Sequence, residues 1–107
     1  MSRGIEVNPL VEGQLKTRPK PEIKEPKLYK VIIHNDHYTT MDFVVYVIST
    51  VFHKSAAEAT RIMLEVHNKG SSIAGIYPYD IAVTKINKVH AMARLEQFPL
   101  RCSCEEA

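Results

Sequence analysis

The character of the chain changes at Leu28, and this change limits how much of the chain can fold. The segment before Leu28 holds four of the six prolines among alternating charges, with no sustained helical or strand period. After it, short β-branched runs alternate with amphipathic stretches. A chain of 107 residues has room for one hydrophobic core. We therefore expect residues 1–27 to be a flexible, disordered extension and residues 28–107 to form a single domain.

Three short runs in this domain predict strands. The first, Tyr29–Ile33, is rich in β-branched residues and ends at the polar cluster His34–His37, which suits a turn. Ser71–Tyr77 predicts a second strand and Leu100–Glu105 a third. Strict alternation assigns the residues of the second strand to two faces, with Ile73, Gly75 and Tyr77 on one and Ser72, Ala74 and Ile76 on the other.

Two amphipathic helices are predicted between the first two strands. The apolar stripe of the first helix comprises Met41, Val44, Val45, Ile48, Val51 and Phe52. Either Thr39 or Thr40 can cap its N-terminus. The second helix begins after Ser55, with Glu58 three residues on in the pattern of a capping box. It ends at Gly70, the residue type that most readily adopts the left-handed conformation after a helix.

A third helix is predicted over Tyr79–Glu96. It follows Pro78, which suits a helix start, and it stops before Pro99. Its buried face consists of Ala82, Ile86, Val89 and Ala93. The complete order is β-α-α-β-α-β. This order predicts an α+β fold, a two-layer sandwich in which three helices pack on a small, mostly antiparallel sheet.

The distribution of charge argues against nucleic acid as a partner. The segment before Leu28 carries all of the formal net charge of +2, and the rest of the chain is neutral. Binding of phosphates requires a basic surface on the folded domain. No run approaches the ~18 apolar residues of a membrane helix, and residues 1–27 contain no apolar run typical of a signal peptide. We therefore expect a cytoplasmic protein without a membrane partner.

Motifs for catalysis, cofactors and metals are weak in this sequence. No nucleophile, base and orienting group occur at a recognisable spacing, and the four glycines form no phosphate-binding loop. Cys102 and Cys104, with His67, suggest zinc ligands, but a Cys-x-Cys pair lacks the spacing of typical zinc sites. We expect no enzyme activity, cofactor or metal, and reduced thiols. A small metal-dependent enzyme is kept as a further alternative.

A loop and two helices offer a set of polar and apolar side chains that suits a ligand. The loop Asn35–His37 supplies an amide oxygen and a carboxylate, which can accept hydrogen bonds from an ammonium group. Helical spacing puts Met41 and Val44 together on the first helix, and Met63, Val66 and His67 together on the second. Spacing alone is also consistent with an ordinary core, a turn and a histidine at a helix C-terminus.

Three segments carry a resemblance to a known family. Tyr29–Asp36 (YKVIIHND), Tyr38–Val44 (YTTMDFV) and Ala59–His67 (ATRIMLEVH) closely resemble the ClpS family of bacterial N-end-rule adaptors. The similarity extends over Leu28–Ala107. It implies a non-catalytic adaptor that recognises proteins beginning with Leu, Phe, Tyr or Trp and passes them to the ClpA unfoldase of the ClpAP protease.

The resemblance also implies roles for individual residues. Those expected to bind the α-amino group of the substrate are Asn35, Asp36, His37 and His67. Those expected to surround the first side chain are Thr39, Thr40, Met41, Val44, Met63, Val66 and Leu100. Asp80 and Lys85 match positions implicated in docking to the N-terminal domain of the unfoldase. The extension before Leu28 is expected to engage that machine during delivery.

Two positions depart from the family pattern. His37 replaces the last acid of the usual Asn-Asp-Asp loop, which removes a negative charge beside the expected ammonium site. Thr40 replaces the proline of Thr-Pro-Met, and with it the ring that restricts the backbone at the helix start. An interaction module of the same fold without recognition of N-termini therefore stays open as an alternative.

Overall fold

The structure, a computed structural model, describes residues 25–107. In chain order its elements are β1 (Leu28–His34), α1 (Met41–Val51), α2 (Ala56–Lys69), β2 (Ser71–Pro78), α3 (Tyr79–Leu95) and β3 (Arg101–Glu106). The predicted β-α-α-β-α-β order is confirmed. Residues 25–27 are exposed and belong to no helix or strand. The rest of the predicted extension lies outside the described residues.

Three strands form one antiparallel sheet in the order β2-β1-β3, and the helices pack on one of its faces. The predicted two-layer α+β architecture is therefore confirmed. Val31 and Ile33 in the central strand are fully buried beneath the helices. Ile33 pairs with Cys102 and Val31 with Cys104, so both thiols lie on the helix-facing side. This side of the sheet forms the floor of the core.

A β-bulge changes the faces of β2. Val31 pairs with Gly75 whereas Ile32 pairs with Ile73, so Ala74 is the extra residue. The predicted strict alternation was therefore wrong. Ile73 and Ile76 share the face that points away from the helices, where their exposures are 43% and 50%, while Ala74 is buried.

Short polar caps set the helix ends. The Thr40 hydroxyl oxygen accepts the N–H of Phe43 at 3.2 Å and begins α1. The Ser55 hydroxyl oxygen accepts the N–H of Glu58 at 3.2 Å and begins α2. Gly70 ends α2 with φ 94°, in the left-handed region. The predicted ends of α2 are therefore confirmed.

The buried face of α1 differs from the predicted stripe. Its buried residues are Val44, Val47, Ile48 and Val51. Val47 is fully buried, although it was not predicted in the stripe, because α1 packs between α2 and α3 and is covered on two sides. Met41 is 44% exposed because it lies at the first position of the helix.

A lysine joins α3 to the end of α1. The Lys85 ammonium donates a 2.7 Å hydrogen bond to the carbonyl oxygen of Val51, in the last turn of α1. It lies 5.1 Å from the ring centre of Tyr77 and 5.9 Å from that of Phe52. The Tyr77 ring in turn lies over Gly75, where a Cβ atom would overlap the ring. These contacts link β2, α1 and α3.

Candidate functional site

The loop between β1 and α1 is organised by the Asp36 carboxylate. Its Oδ1 accepts the backbone N–H groups of Tyr38 at 2.8 Å and Thr39 at 2.7 Å. Its Oδ2 accepts the Thr39 hydroxyl at 2.7 Å. A side-chain acceptor that bonds to backbone donors two and three residues later closes a tight turn. The loop is therefore held in one conformation by its own acid.

The same hydrogen bonds keep Asp36 ionised. Partial burial raises the pKa of this carboxyl group, but the hydrogen bonds from Thr39 and Tyr38, with a smaller contribution from His37, outweigh it and hold the pKa below its ordinary value. A full negative charge therefore lies in the loop at neutral pH.

A backbone contact brings this loop to the C-terminal end of α2. The N–H of Asn35 donates a 2.9 Å hydrogen bond to the carbonyl oxygen of Gly70. His67 lies in the last turn of the same helix. Asn35, His37 and His67 are all exposed. The loop that carries Asn35 and His37 therefore lies beside the C-terminal end of the helix that carries His67, and these three side chains are open to solvent. Their joint role in binding an α-amino group stays a prediction.

The residues predicted to surround the first side chain fall into two groups. Val44, Met63, Val66 and Leu100 belong to the buried core. Met41, in contrast, is 44% exposed at the start of α1. Thr39 is half-buried and Thr40 is exposed. Four of the seven are thus core residues and the other three reach solvent at the start of α1, and their role around a bound side chain stays a prediction.

An aromatic contact connects α1 with the segment that carries Leu100. The ring centres of Phe43 and Phe98 lie 5.0 Å apart, with the planes inclined by 58°. Phe43 lies between Met41 and Val44, and Phe98 lies two residues before Leu100. Neither phenylalanine was singled out from the sequence, because the contact joins segments far apart in the chain.

The Thr40 cap compensates for the proline that the family pattern has at this position. Its backbone angles, φ −73° and ψ 151°, are within the range that proline adopts. The hydroxyl oxygen accepts the N–H of Phe43, which a proline could not do. The helix start is thus restrained by a hydrogen bond in place of a ring.

The two residues predicted to dock on an unfoldase have different surroundings. Asp80 is exposed in the first turn of α3. Lys85 is half-buried, and its ammonium bonds to the Val51 carbonyl oxygen. Lys85 therefore has an internal structural role. The docking role of both residues stays a prediction.

The thiols and the possible metal ligands do not form a site among residues 25–107. Cys102 is buried, and burial raises the pKa of its thiol to about 12. Both cysteines are free. Within the described part of the chain, no three His, Cys, Asp or Glu side chains are grouped in a way that could hold a metal ion. No helix in that part is long and apolar enough to cross a bilayer.

One polar contact near the candidate site was missed by sequence reasoning. The backbone N–H of Cys102 donates a 3.0 Å hydrogen bond to Nε2 of His90 on α3. The available signal was a histidine between Val89 and Ala93, both on the apolar stripe of the predicted helix. A histidine at the border of such a stripe commonly bonds to a neighbouring segment, but its partner cannot be deduced from spacing.

Comparison with known proteins points to one family. The family model described as "ATP-dependent Clp protease adaptor protein ClpS" matches residues 24–103. The adapter protein ClpS of Syntrophus aciditrophicus is 58% identical over 95 residues, which cover 89% of this chain and 89% of the relative. That of Desulfatibacillum aliphaticivorans is 53% identical over 93 residues, covering 87% and 89%.

A solved structure shares the fold. Agrobacterium tumefaciens ClpS2 bound to L-phenylalaninamide superimposes with a TM-score of 0.75 and is 36% identical in sequence. The match covers 78% of this chain and all of that one. The ligand of that protein is a phenylalanine derivative with a free α-amino group.

Proposed function

Because the chain belongs to the ClpS family of Clp protease adaptors, which are not enzymes, we propose that it binds N-termini beginning with Leu, Phe, Tyr or Trp. We further propose that it delivers these proteins to the N-terminal domain of the ClpA unfoldase for degradation by ClpAP. The observation that supports recognition most directly is the corner where the Asn35 loop meets the end of α2. It combines an ionised carboxylate with exposed acceptors, and Met63 and Val66 of the same helix belong to the apolar core.

The Asp36 carboxylate has capacity left for a ligand. A carboxylate offers about four lone-pair positions, two on each oxygen. Among the described residues, Oδ1 accepts two hydrogen bonds and Oδ2 accepts one. One position on Oδ2 is therefore free to face an ammonium group. The amide oxygen of Asn35 and a ring nitrogen of His67 can supply further acceptors.

The magnitudes explain why both a free terminus and a large first residue are needed. A hydrogen bond to a charged group contributes ~1.5–3 kcal/mol, and burial of a Leu or Phe side chain contributes ~1.5–3 kcal/mol. Micromolar binding requires ~8 kcal/mol. At about 2 kcal/mol for each contribution, three bonds to the ammonium and one buried side chain together reach about 8 kcal/mol, whereas the bonds alone give about 6 and the side chain alone about 2.

Peptide titration tests recognition. Fluorescence anisotropy would compare a Phe-starting peptide with the same peptide acetylated at its N-terminus. We expect micromolar or tighter binding of the free peptide and a loss of at least a hundredfold on acetylation, which removes about two charge-assisted bonds. Equal affinities for the two peptides would instead favour the alternative, an interaction module of the same fold without recognition of N-termini.

Delivery is tested separately. A Phe-starting fluorescent protein is incubated with ClpA, ClpP and ATP, with and without the chain. We expect degradation to require the chain and to stop when its residues 1–27 are deleted, while peptide binding persists. Degradation that proceeds equally without residues 1–27 would remove the proposed role of the extension and leave recognition intact.

A further inference from the structure

A single side-chain acceptor on α3 holds the start of β3. This strand lies at an edge of the sheet that residues 25–107 form, so one side of its backbone has no partner strand there. The N–H of Cys102 donates instead to Nε2 of His90 at 3.0 Å. A ring nitrogen that accepts carries no proton. His90 is therefore neutral, with its proton on Nδ1.

Two hydrogen bonds enclose Leu100. The N–H of Phe98 donates to the Ala93 carbonyl oxygen at 2.8 Å, and the N–H of Cys102 donates to His90. Both acceptors lie in the last two turns of α3. Leu100 lies midway between the two donors and is only 4% exposed. The backbone is therefore tied to α3 two residues before and two residues after Leu100, and these two bonds fix the distance of Leu100 from the helix.

Packing covers Leu100 mainly from the core side. A depression of ≈ 260 Å³ that is open to solvent lies beside it, with His90, Phe98 and Leu100 among its lining residues. No neighbouring element fills the space on that side of the segment that carries Leu100. If the bond to His90 were lost, the first residues of β3 could therefore shift, and Leu100 with them.

We propose that His90 is a positioning residue of the binding pocket, which holds Leu100 at the place that a bound Leu or Phe side chain requires. The inference rests on the proposed function, because Leu100 lines a binding pocket only if the chain recognises N-termini as proposed. His90 does not touch the bound residue. It acts through the backbone of Cys102 and the strand that follows Leu100.

The surroundings of His90 favour the neutral ring. Burial lowers its pKa below the ordinary 6.5, and the nearby positive charge of Arg94 on the same helix and, more weakly, of Arg101 on β3 act in the same direction. The bond from Cys102 opposes this shift. On β1, His34 lies opposite Arg101 in the sheet. The acceptor is thus present at neutral pH and lost on acidification, when a proton occupies Nε2.

Two substitutions of similar length separate the hydrogen bond from the bulk of the ring. His90→Gln retains a strong acceptor, whereas the thioether of His90→Met is only a weak one. Ser103→Ala serves as the control, since it removes another side-chain bond of β3, the 2.7 Å contact with His34, without touching the link to α3. We expect His90→Met to weaken binding of Phe-starting and Leu-starting peptides about three- to tenfold. His90→Gln and Ser103→Ala should stay within about twofold of the wild type.

A pH titration keeps the inference testable if His90→Met does not fold. Affinity for the Phe-starting peptide is measured between about pH 7.5 and 5.5 for the wild type and for His90→Gln. The wild type should lose more affinity on acidification, because only its residue 90 titrates. Identical profiles, or an affinity of His90→Met equal to that of the wild type, would overturn the positioning role. A wild type that binds no Phe-starting peptide would overturn the proposed function itself.

Discussion

The N–H of Asn35 donates to the carbonyl oxygen of Gly70, so the loop after β1 is fastened to the residue that ends α2. Gly70 has φ 94°, a conformation that costs a side-chain-bearing residue free energy. The backbone geometry at this one glycine therefore controls both the end of a helix and the placement of the Asn35 side chain.

Gly70→Ala should impair both stability and binding. Although a Cβ at this position meets no atom, the positive φ costs about 1–2 kcal/mol in free energy of unfolding. We expect this loss in urea denaturation, together with weaker binding of Phe-starting peptides. Gly70→Asn is the matched control, because asparagine tolerates left-handed backbone better. Full stability of Gly70→Ala would show that the helix end can adopt another conformation.

Met41→Ala should broaden selectivity. Met41 is 44% exposed at the first position of α1, so its truncation leaves no core cavity. We expect Met41 in the wild type to act as a gatekeeper that excludes Ile-starting and Val-starting peptides, because these side chains branch at Cβ. In Met41→Ala we expect these peptides to bind within about tenfold of a Leu-starting peptide in anisotropy titrations. Met63→Ala, at 9% exposure, should instead lower the free energy of unfolding by about 2–5 kcal/mol. Continued exclusion of Ile-starting peptides by Met41→Ala would refute its role as gatekeeper.

Asp36→Asn should weaken binding of the ammonium group. The amide retains an acceptor for the turn but removes the charge. Because a neutral hydrogen bond to the ammonium is weaker than a charge-assisted one, we expect roughly tenfold lower affinity for a Phe-starting peptide. Asp42→Asn removes the same charge from the exposed first turn of α1 and serves as the control. If both variants lose affinity equally, the effect comes from net charge and Asp36 has no specific contact.

Acid denaturation should report the turn around Asp36. The pKa of its carboxyl group lies below the ordinary 3.8 in the folded protein, so the unfolded chain binds more protons near that pH. The stabilisation is present above pH ~3.8 and is lost as the pH falls through the folded pKa. We therefore expect the stability of the wild type to decline more steeply with acidification below about pH 5 than that of Asp36→Asn. Parallel curves would mean that the carboxylate does not stabilise the loop.

Lys85→Met should destabilise the fold by about 1–2 kcal/mol, because it removes the bond to Val51 and the contacts with two rings. Asp80→Asn, at an exposed position, should leave the free energy of unfolding unchanged. ClpA-dependent degradation measured for both variants then separates docking from stability. A fully stable Lys85→Met that no longer supports degradation would assign the lysine to docking and remove its structural role.

The features that sequence predicted well are local ones. The ends of α2 follow from Ser55 and Gly70, whose preferences act over three or four residues. The bulge at Ala74 depends on how β2 pairs with β1, so alternation within β2 could not reveal it. The Lys85 side chain likewise points inward because its ammonium bonds to the carbonyl oxygen of Val51, 34 residues away in the chain.

The candidate site shows the same division. Family resemblance supplied the residues of the loop and of both helices. It did not supply the turn closed by Asp36 and Thr39, or the bond between His90 and Cys102. These depend on side-chain directions and on contacts between elements, which only folded coordinates contain.

The overlap between Tyr77 and any Cβ at position 75 has an evolutionary consequence. Tyr77 leans over a residue with no side chain, and from there it reaches the lysine that caps α1. A variant that gains a side chain at position 75 must move the Tyr77 ring. It therefore alters the surroundings of Lys85 although residue 85 itself is unchanged. Positions 75, 77 and 85 are therefore expected to tolerate replacement only in concert during divergence.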